Sequence, residues 1–421
     1  MTTTTGNASG FCRASRVLYI SYTSPVPSKI GPSRRHYHIL IQLLRFYDVQ
    51  VLSIGRQTDS ELFEKEFGNR VTQFNYAVSE QSTAFKYIRK AWLTLTCRCD
   101  FLPARNRKLR RLCKRVTASQ RFDAIMLSGS LLNSLPLPRD VPIIADTHNV
   151  ESDVLARTSM LAETLGRRIY SRFQAPSTFR EERRCSLKAD LLLATSDHDK
   201  TTFQRLMNVP DIAVIPNGVD AREFRPIGGI GEPGEILFTG LMSYYPNQQA
   251  IRWFLDEVFP KVRRAVPAAR LTVAGADAPP WLLGRRSAAV VVSGAVPDMR
   301  PYFQRARVVI APLKLGGGTR VKILEAQAME RPVVSTSLGA EGLKTEGSSI
   351  ILADDADSFA AQVIRLLCDA ALALQLAIEG RQMVEKEYAW DRIGERLEAI
   401  LSDRIGLRSR LSVPRCQGSK D

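Results

Sequence analysis

Short β-branched and aliphatic runs alternate along this chain with longer stretches whose apolar positions recur at helical spacing. In the first half the runs fall at residues 16–21, 49–54, 71–76, 123–128, 142–146, 190–196 and 212–215. In the second half they fall at 236–239, 271–274, 290–293, 308–311, 333–336 and 350–352. Continuous apolar runs of this length, bounded by turn residues, predict strands buried on both faces of a parallel sheet. Between them Ile39, Leu40 and Leu43 mark one face of a first helix, and residues 150–187 read as one long, charged helix. Further helices are predicted over 248–264, 356–368, 372–388 and 390–400. A Gly/Pro-rich linker at 226–234 separates the two series. Strand–helix alternation twice over predicts an α/β protein of two doubly wound, Rossmann-like domains.

One turn in the second series carries unusual chemistry. Residues 312–328 read P-L-K-L-G-G-G-T-R-V-K-I-L-E-A-Q-A, directly after the run at 308–311. Ile323, Leu324, Ala326 and Met329 recur at helical spacing, so Gly316, Gly317 and Gly318 fall in a strand-to-helix turn. Thr319 is then placed to cap the helix. Arg320 and Lys322 stand in its first turn, where the macrodipole disfavours each cation by about 0.3–1 kcal/mol. A phosphate or diphosphate resolves that conflict, because glycine N–H groups, dipole and cations all favour an anion. Glu325, a turn further on, suits sugar hydroxyls beside the phosphate. The same residues also suit a solvated helix start with a Lys322–Glu325 pair. Neither G-x-x-x-x-G-K-[ST] nor a G-x-G-x-x-G after the first run occurs, which sets aside the two commonest phosphate loops.

Two other places suggest a site wall. The run at 142–146 ends in Asp146-Thr147-His148-Asn149, and open α/β sheets bind ligands beyond the carboxyl ends of their strands. His148 is the one of four histidines at a strand exit; His36, His38 and His198 read as ordinary structural residues. The loop into the first helix offers Gly31, Arg34 and Arg35, which suit either a site wall or a plain connection.

These motifs together resemble the nucleotide-sugar site of family 4-type glycosyltransferases with the GT-B fold, similar to sugar transferases of exopolysaccharide and lipopolysaccharide biosynthesis. The likeness continues through R-P-V-V-S-T at 331–336 and G-A-E-G-L at 339–343, and the P-N-G-V-D turn at 216–220 matches the family's passage between domains. The resemblance implies two domains facing across a cleft, over 16–218 and 219–390, a helix at 391–404 crossing back to the first, and a tail at 405–421. It implies a retaining hexosyltransferase that needs no metal and no cofactor beyond its nucleoside-diphosphate sugar donor. His148, Arg320 and Lys322 would be catalytic. Gly31, Asn217, Gly218, Gly316, Gly317, Gly318, Thr319 and Glu325 would bind the donor. Many members carry an E-x7-E pair; Glu325 matches the second Glu, but the first position is Gly317. Backbone or another residue must therefore do that carboxylate's work. The loop at 240–247 also lacks the basic pair of many relatives, which shifts the diphosphate onto Arg320 and Lys322. A sugar-nucleotide epimerase of related fold, or a non-catalytic carbohydrate- or membrane-binding protein with a decayed site, are the alternative readings.

Composition adds the setting. With 44% hydrophobic and 24% charged residues over 421 positions, the chain has the make-up of a soluble globular protein of two domains. Residues 1–15, rich in Thr, Ser and Gly, read as a disordered leader rather than a signal peptide. Seven cysteines at scattered spacing argue for reduced thiols and a cytoplasmic protein. The formal net charge is +16, and residues 84–121 hold twelve Lys/Arg, one acid and interleaved aromatics. Such a segment suits an anionic membrane surface on the inner face of the membrane, nucleic acid, or a solvated face. No nucleic-acid-binding signature accompanies it, so the expected partners are the donor, a lipid-linked or saccharide acceptor, and that membrane surface.

Overall fold

The computed structural model describes residues 13–26, 31–55, 57–68, 71–77, 107–128, 135–162, 164–209, 211–345 and 349–410. The stretch at 84–106, most of the basic–aromatic segment, lies outside these, as do most of the leader and the end of the tail.

Two wholly parallel sheets form, as the alternation predicts. The first holds β1 (Arg16–Ser21), β2 (Asp48–Gly55), β3 (Thr72–Ala77), β4 (Ala124–Ser128), β5 (Ile143–Asp146), β6 (Leu191–Ala194) and β7 (Ile212–Val214). They lie in the order β3-β2-β1-β4-β5-β6-β7. The second holds β8 (Glu235–Thr239), β9 (Arg270–Ala274), β10 (Val290–Gly294), β11 (Val308–Ala311), β12 (Val333–Ser335) and β13 (Ile350–Leu352). Their order is β10-β9-β8-β11-β12-β13. Chain direction across each sheet reverses once, between β1 and β4 and between β8 and β11, which opens a crevice at the carboxyl ends of those strands. β1, β4 and β11 are buried along almost their whole length, which is why they read as unbroken apolar runs. This is the GT-B architecture.

Three predicted helices differ in detail. Residues 150–187 form not one helix but two, Glu151–Leu161 and Leu165–Ser186, packed on each other as a hairpin. Ala162 and Thr164 take extended dihedrals at the break, where no proline or glycine announces a turn. The helix predicted over 248–264 runs from Tyr245 to Ala265 with a widened π-turn at Phe254–Val258. Pro260, which lacks an N–H to give back to that turn, accounts for the widening. The last helix extends to Ile405 and ends on Gly406 in the left-handed region.

That last helix, Trp390–Ile405, packs against the first sheet's helix Gly31–Phe46. Trp390, Ile393, Leu397 and Leu401 join Val17, Tyr19, Ile39, Leu40 and Leu43 in one apolar core. Trp390 stacks on His38, ring centroids 4.7 Å apart. The chain therefore passes between domains twice, and the two passages touch: Val219 N donates to Tyr388 O at 3.0 Å and Trp390 N to Val219 O at 3.3 Å. Among the described residues no single helix is long and apolar enough to cross a membrane, and Cys113, Cys185 and Cys368 are free thiols.

Candidate active site

The glycine turn leaves β11 through Leu315 and enters the helix Val321–Ala328. Gly316 (φ 108°) and Gly318 (φ 75°) lie in the region that side chains avoid, so both positions require glycine. Thr319 does not cap the helix, contrary to the sequence expectation. Its hydroxyl donates instead to Thr195 O of the first domain at 3.2 Å, and Arg320 occupies the cap position with no side-chain hydrogen bond to the helix end. No acid stands in that first turn either.

Arg320 is buried. Its Nη1 donates to Gly317 O, Nε and Nη2 make no hydrogen bond, and the Tyr244 hydroxyl interacts with the guanidinium. Burial pulls its pKa below the usual arginine value. Lys322 donates to Asn247 Oδ1 at 2.9 Å and stands 4.3 Å from the centroid of the Phe238 ring. Burial first, and the Arg320 charge second, push its ammonium down to about 7. The loop after β8 has no basic pair, yet it supplies Asn247 to Lys322 and Tyr244 to the glycine turn. A Cβ at Gly316 would meet Arg320 Nη2 at 3.0 Å and the Tyr244 hydroxyl at 3.1 Å.

Glu325 points to the first domain, where Arg34 donates to its carboxylate. The Lys322–Glu325 pair considered from sequence does not form; each residue has another partner. A second cross-domain pair joins Arg157 to Glu341 at 2.9 Å.

The first domain presents His148 and its neighbours to the same turn. His148 O lies 3.0 Å from where a Cβ at Gly318 would sit, and Asn149 and Val154 flank Gly317. His148 Nε2 is 3.1 Å from His36 Nε2, and His36 is also bonded to Thr23 Oγ1 and Ser128 Oγ, each at 2.9 Å. One Nε2 carries the shared hydrogen and the other accepts it. Burial, with the Arg35 charge behind it, pushes His148 down to about 3. Burial likewise lowers His36. Both rings are thus neutral at physiological pH. His36, read from sequence as a plain helical residue, is the partner that orients His148.

Glu151 opens the helix that rests on Gly317. Burial pushes its carboxyl up to about 7, against a hydrogen bond from Asn149. The Asn149 Oδ1 atom is buried without a partner. Asp146, by contrast, is taken up by Arg35. Arg35 donates to its Oδ1 at 2.6 Å and also to Ile215 O, Pro216 O and Asn217 Oδ1. Asn217 and Gly218 accordingly sit at the passage between domains: a Cβ at Gly218 would lie 2.6 Å from Ile393 Cδ1 and 2.8 Å from Tyr388 O. Gly31 is the first residue of the helix that carries Arg34, Arg35 and His36. Among the described residues no group of three or more His, Cys, Asp or Glu is arranged to hold a metal ion.

The Gly317 contact is testable by itself. A Cβ there falls 2.5 Å from Val154 Cγ2, and a β-branched side chain has little freedom to yield. Gly317→Ala is expected to cost about 1–3 kcal/mol by overpacking. The loss should read as a lower melting temperature that a second change, Val154→Ala, restores. Unchanged melting of the single variant would show that the two domains do not meet at this distance in solution.

Comparison with known proteins agrees with this fold. A family model described as Glycosyltransferase Family 4 matches residues 33–223, and one described as glycosyl transferases group 1 matches residues 233–369. A GDP-mannose-dependent monoacylated alpha-(1-6)-phosphatidylinositol monomannoside mannosyltransferase of Corynebacterium glutamicum is 27% identical over 251 residues, 54% of this chain and 65% of that protein. An uncharacterized 44.6 kDa protein in the cps region of Klebsiella pneumoniae is 26% identical over 164 residues, 36% of this chain and 42% of that one. The matched stretches thus span less than two thirds of either relative. Among solved structures, HepE of Anabaena in complex with UDP and glucose superposes with a TM-score of 0.62 at 14% identity, covering 92% of this chain and 99% of that one. The two family models between them take in every strand but β1, and the glycine turn, and the chain belongs to the family 4 type of glycosyltransferases with the GT-B fold.

Proposed function

We propose that this protein transfers a sugar from a nucleoside-diphosphate donor to an acceptor hydroxyl with retention of configuration, in the synthesis of a cell-surface polysaccharide or glycolipid. The observation that carries this reading is Arg320: a buried guanidinium with two nitrogens without a hydrogen bond, beside a glycine turn, an uncapped helix start and a second, half-buried cation, Lys322. Unpaired buried charge is costly, and a diphosphate is the ligand that all four features would accept. In this reading the bond from the anomeric carbon to the diphosphate oxygen breaks as the acceptor oxygen bonds to that carbon from the same face. The acceptor's proton passes to a donor phosphate oxygen. Arg320 and Lys322 hold the charge growing on the departing diphosphate, in the role a divalent cation would otherwise fill. Neutral His148 orients the sugar, Glu325 exchanges Arg34 for ribose hydroxyls, and Glu151 does the work of the carboxylate missing at Gly317. The GDP-mannose named for the Corynebacterium relative, and the UDP and glucose named for the Anabaena structure, support a nucleotide sugar as donor.

Thermal-shift titration with uridine, guanosine, adenosine and thymidine diphosphates and their sugar conjugates tests the reading. One nucleotide at 100 times its dissociation constant should stabilise the protein by about 2.7 kcal/mol, and Arg320→Ala should abolish the shift. The stabilising nucleotide names the donor base. Stabilisation by none of them would turn the conclusion to a non-catalytic protein with a decayed site.

A further inference from the structure

Three side chains of the first domain are joined through the His36 ring. Its Nδ1 meets Thr23 Oγ1 at 2.9 Å, and its Nε2 meets both Ser128 Oγ at 2.9 Å and His148 Nε2 at 3.1 Å. Burial keeps both rings neutral, so each imidazole has an N–H on one side and a bare nitrogen on the other. The hydrogens can then be arranged in two ways, which give His148 opposite characters. With the hydrogen of His36 on Nε2, His148 Nε2 accepts it and His148 Nδ1 is a donor. With the hydrogen of His36 on Nδ1, His148 Nε2 donates to His36 and His148 Nδ1 is an acceptor.

Ser128 decides between them. It ends β4 and is 1% exposed, and among the described residues its hydroxyl has no hydrogen-bond partner but His36 Nε2. An N–H on His36 Nε2 would leave the hydroxyl hydrogen of Ser128 buried and unmatched, the costly outcome for a polar group. A bare His36 Nε2 takes that hydrogen and the one from His148 together. The other end of the ring is satisfied as well. Thr23 Oγ1 accepts from His36 Nδ1 and from Ser33 Oγ at 3.3 Å, and Thr23 is only partly buried, so its own hydrogen can meet solvent. Neither ring has room to turn over, because Tyr22 stands edge-on to both, with centroids 5.0 and 5.8 Å away.

We propose that Ser128 and His36 are positioning residues that fix His148 as its Nε2–H tautomer, leaving Nδ1 bare to accept a hydrogen bond from a hydroxyl of the donor sugar. The sugar contact rests on the glycosyltransfer reading; the tautomer does not. A ring that can only accept favours a hydroxyl at the point it touches and gives nothing to a deoxy or O-methyl position there.

Long-range proton–nitrogen NMR of the full chain with isotopically labelled histidine reads the tautomers directly, and the chain has only four histidines to separate. The parent should show His36 with its hydrogen on Nδ1 and His148 with its hydrogen on Nε2, each identified by the signals lost in His36→Gln and His148→Gln. Ser128→Ala, a small change that the strand should tolerate, should let both arrangements appear. His36→Gln puts an amide oxygen in place of the bare Nε2 and should keep His148 on Nε2–H, whereas His36→Leu should move that hydrogen to Nδ1. Calorimetry with UDP-glucose and GDP-mannose against UDP and GDP then reads the sugar contact. His36→Leu should weaken the sugar conjugate about tenfold, the worth of one hydrogen bond, and the free diphosphate by less than about twofold, with His36→Gln restoring the difference. His148 carrying its hydrogen on Nδ1 in the parent overturns the proposal, and so does a tautomer unmoved in Ser128→Ala. Equal weakening of conjugate and diphosphate overturns the positioning role, since general loosening of the fold would do the same. Binding of no nucleotide would end the glycosyltransfer reading and the sugar contact with it, while the spectra of the parent and of Ser128→Ala still decide the tautomer.

Discussion

Lys322→Ala is expected to lower turnover by roughly 10²–10³-fold, the usual cost of removing one preorganised group from a charge-stabilising site. Its pH dependence is the sharper part of the prediction. The ammonium titrates near 7 in the folded protein rather than at its ordinary 10.5 because it is buried beside Arg320. A diphosphate placed against it favours the charged form and raises that pKa again. Between about pH 7 and the pKa of the complex, binding therefore takes up a proton. Affinity should fall as pH rises through this window, by up to about tenfold per unit, the limit for one linked proton. Calorimetric titration in two buffers of different ionisation enthalpy would count the proton directly. In Lys322→Ala the slope above pH 7 should vanish. A flat affinity from pH 7 to 9 in the parent, or turnover within about threefold in the variant, would remove Lys322 from the diphosphate site. The same depression has a consequence for stability. Between about 7 and 10.5 the unfolded chain holds a proton that the folded one lacks, so this lysine makes the folded state more stable as pH rises through that range.

Asp146→Ala should be the most destabilising single change away from the cleft, at about 3–5 kcal/mol. Arg35 and Asp146 are both fully buried, and the arginine's other bonds go only to backbone oxygens and Asn217 at the passage between domains. Truncating the acid leaves an uncompensated guanidinium inside the protein. Removing both charges together, as Arg35→Met with Asp146→Leu, should recover much of the loss, because the pair's own net contribution is small against its desolvation. Urea unfolding of the three variants measures both effects. A single variant within about 1 kcal/mol of the parent would mean that water reaches Arg35.

The arginine pair also shows what a linear reading can and cannot see. The strand at Val308–Ala311 was legible to the residue, because a strand buried on both faces must be apolar without interruption. The glycine turn was legible because its oddities are local: three glycines and two cations at the wrong end of a helix. Arg35 lies 111 residues from Asp146, His36 112 from His148, and Arg34 291 from Glu325. Each of these pairs exists only through the sheet order and the facing of the domains, and no local pattern encodes it. Thr319 was misread for a related reason. The helix starts one residue later than its pattern suggests, with Arg320 at the cap position, and the Thr319 hydroxyl donates to Thr195 O of the other domain. The hairpin break at residues 162–164 hides behind helix-forming composition, since nothing but packing ends the first helix there.

The return of the last helix to the first sheet makes that domain discontinuous in sequence, and this bears on synthesis. Ribosomes deliver the chain from the amino terminus, so β1 to β7 emerge early, yet Trp390, Ile393, Leu397 and Leu401 of their core emerge nearly last. The second domain, contiguous from Val219 to Ala389, has all its strands in hand before then. Domains fold as units once their cores are complete, so the half made first is closed last. Until then its helix Gly31–Phe46 keeps an apolar face uncovered, and a chain stopped short of Trp390 would carry that exposed surface permanently.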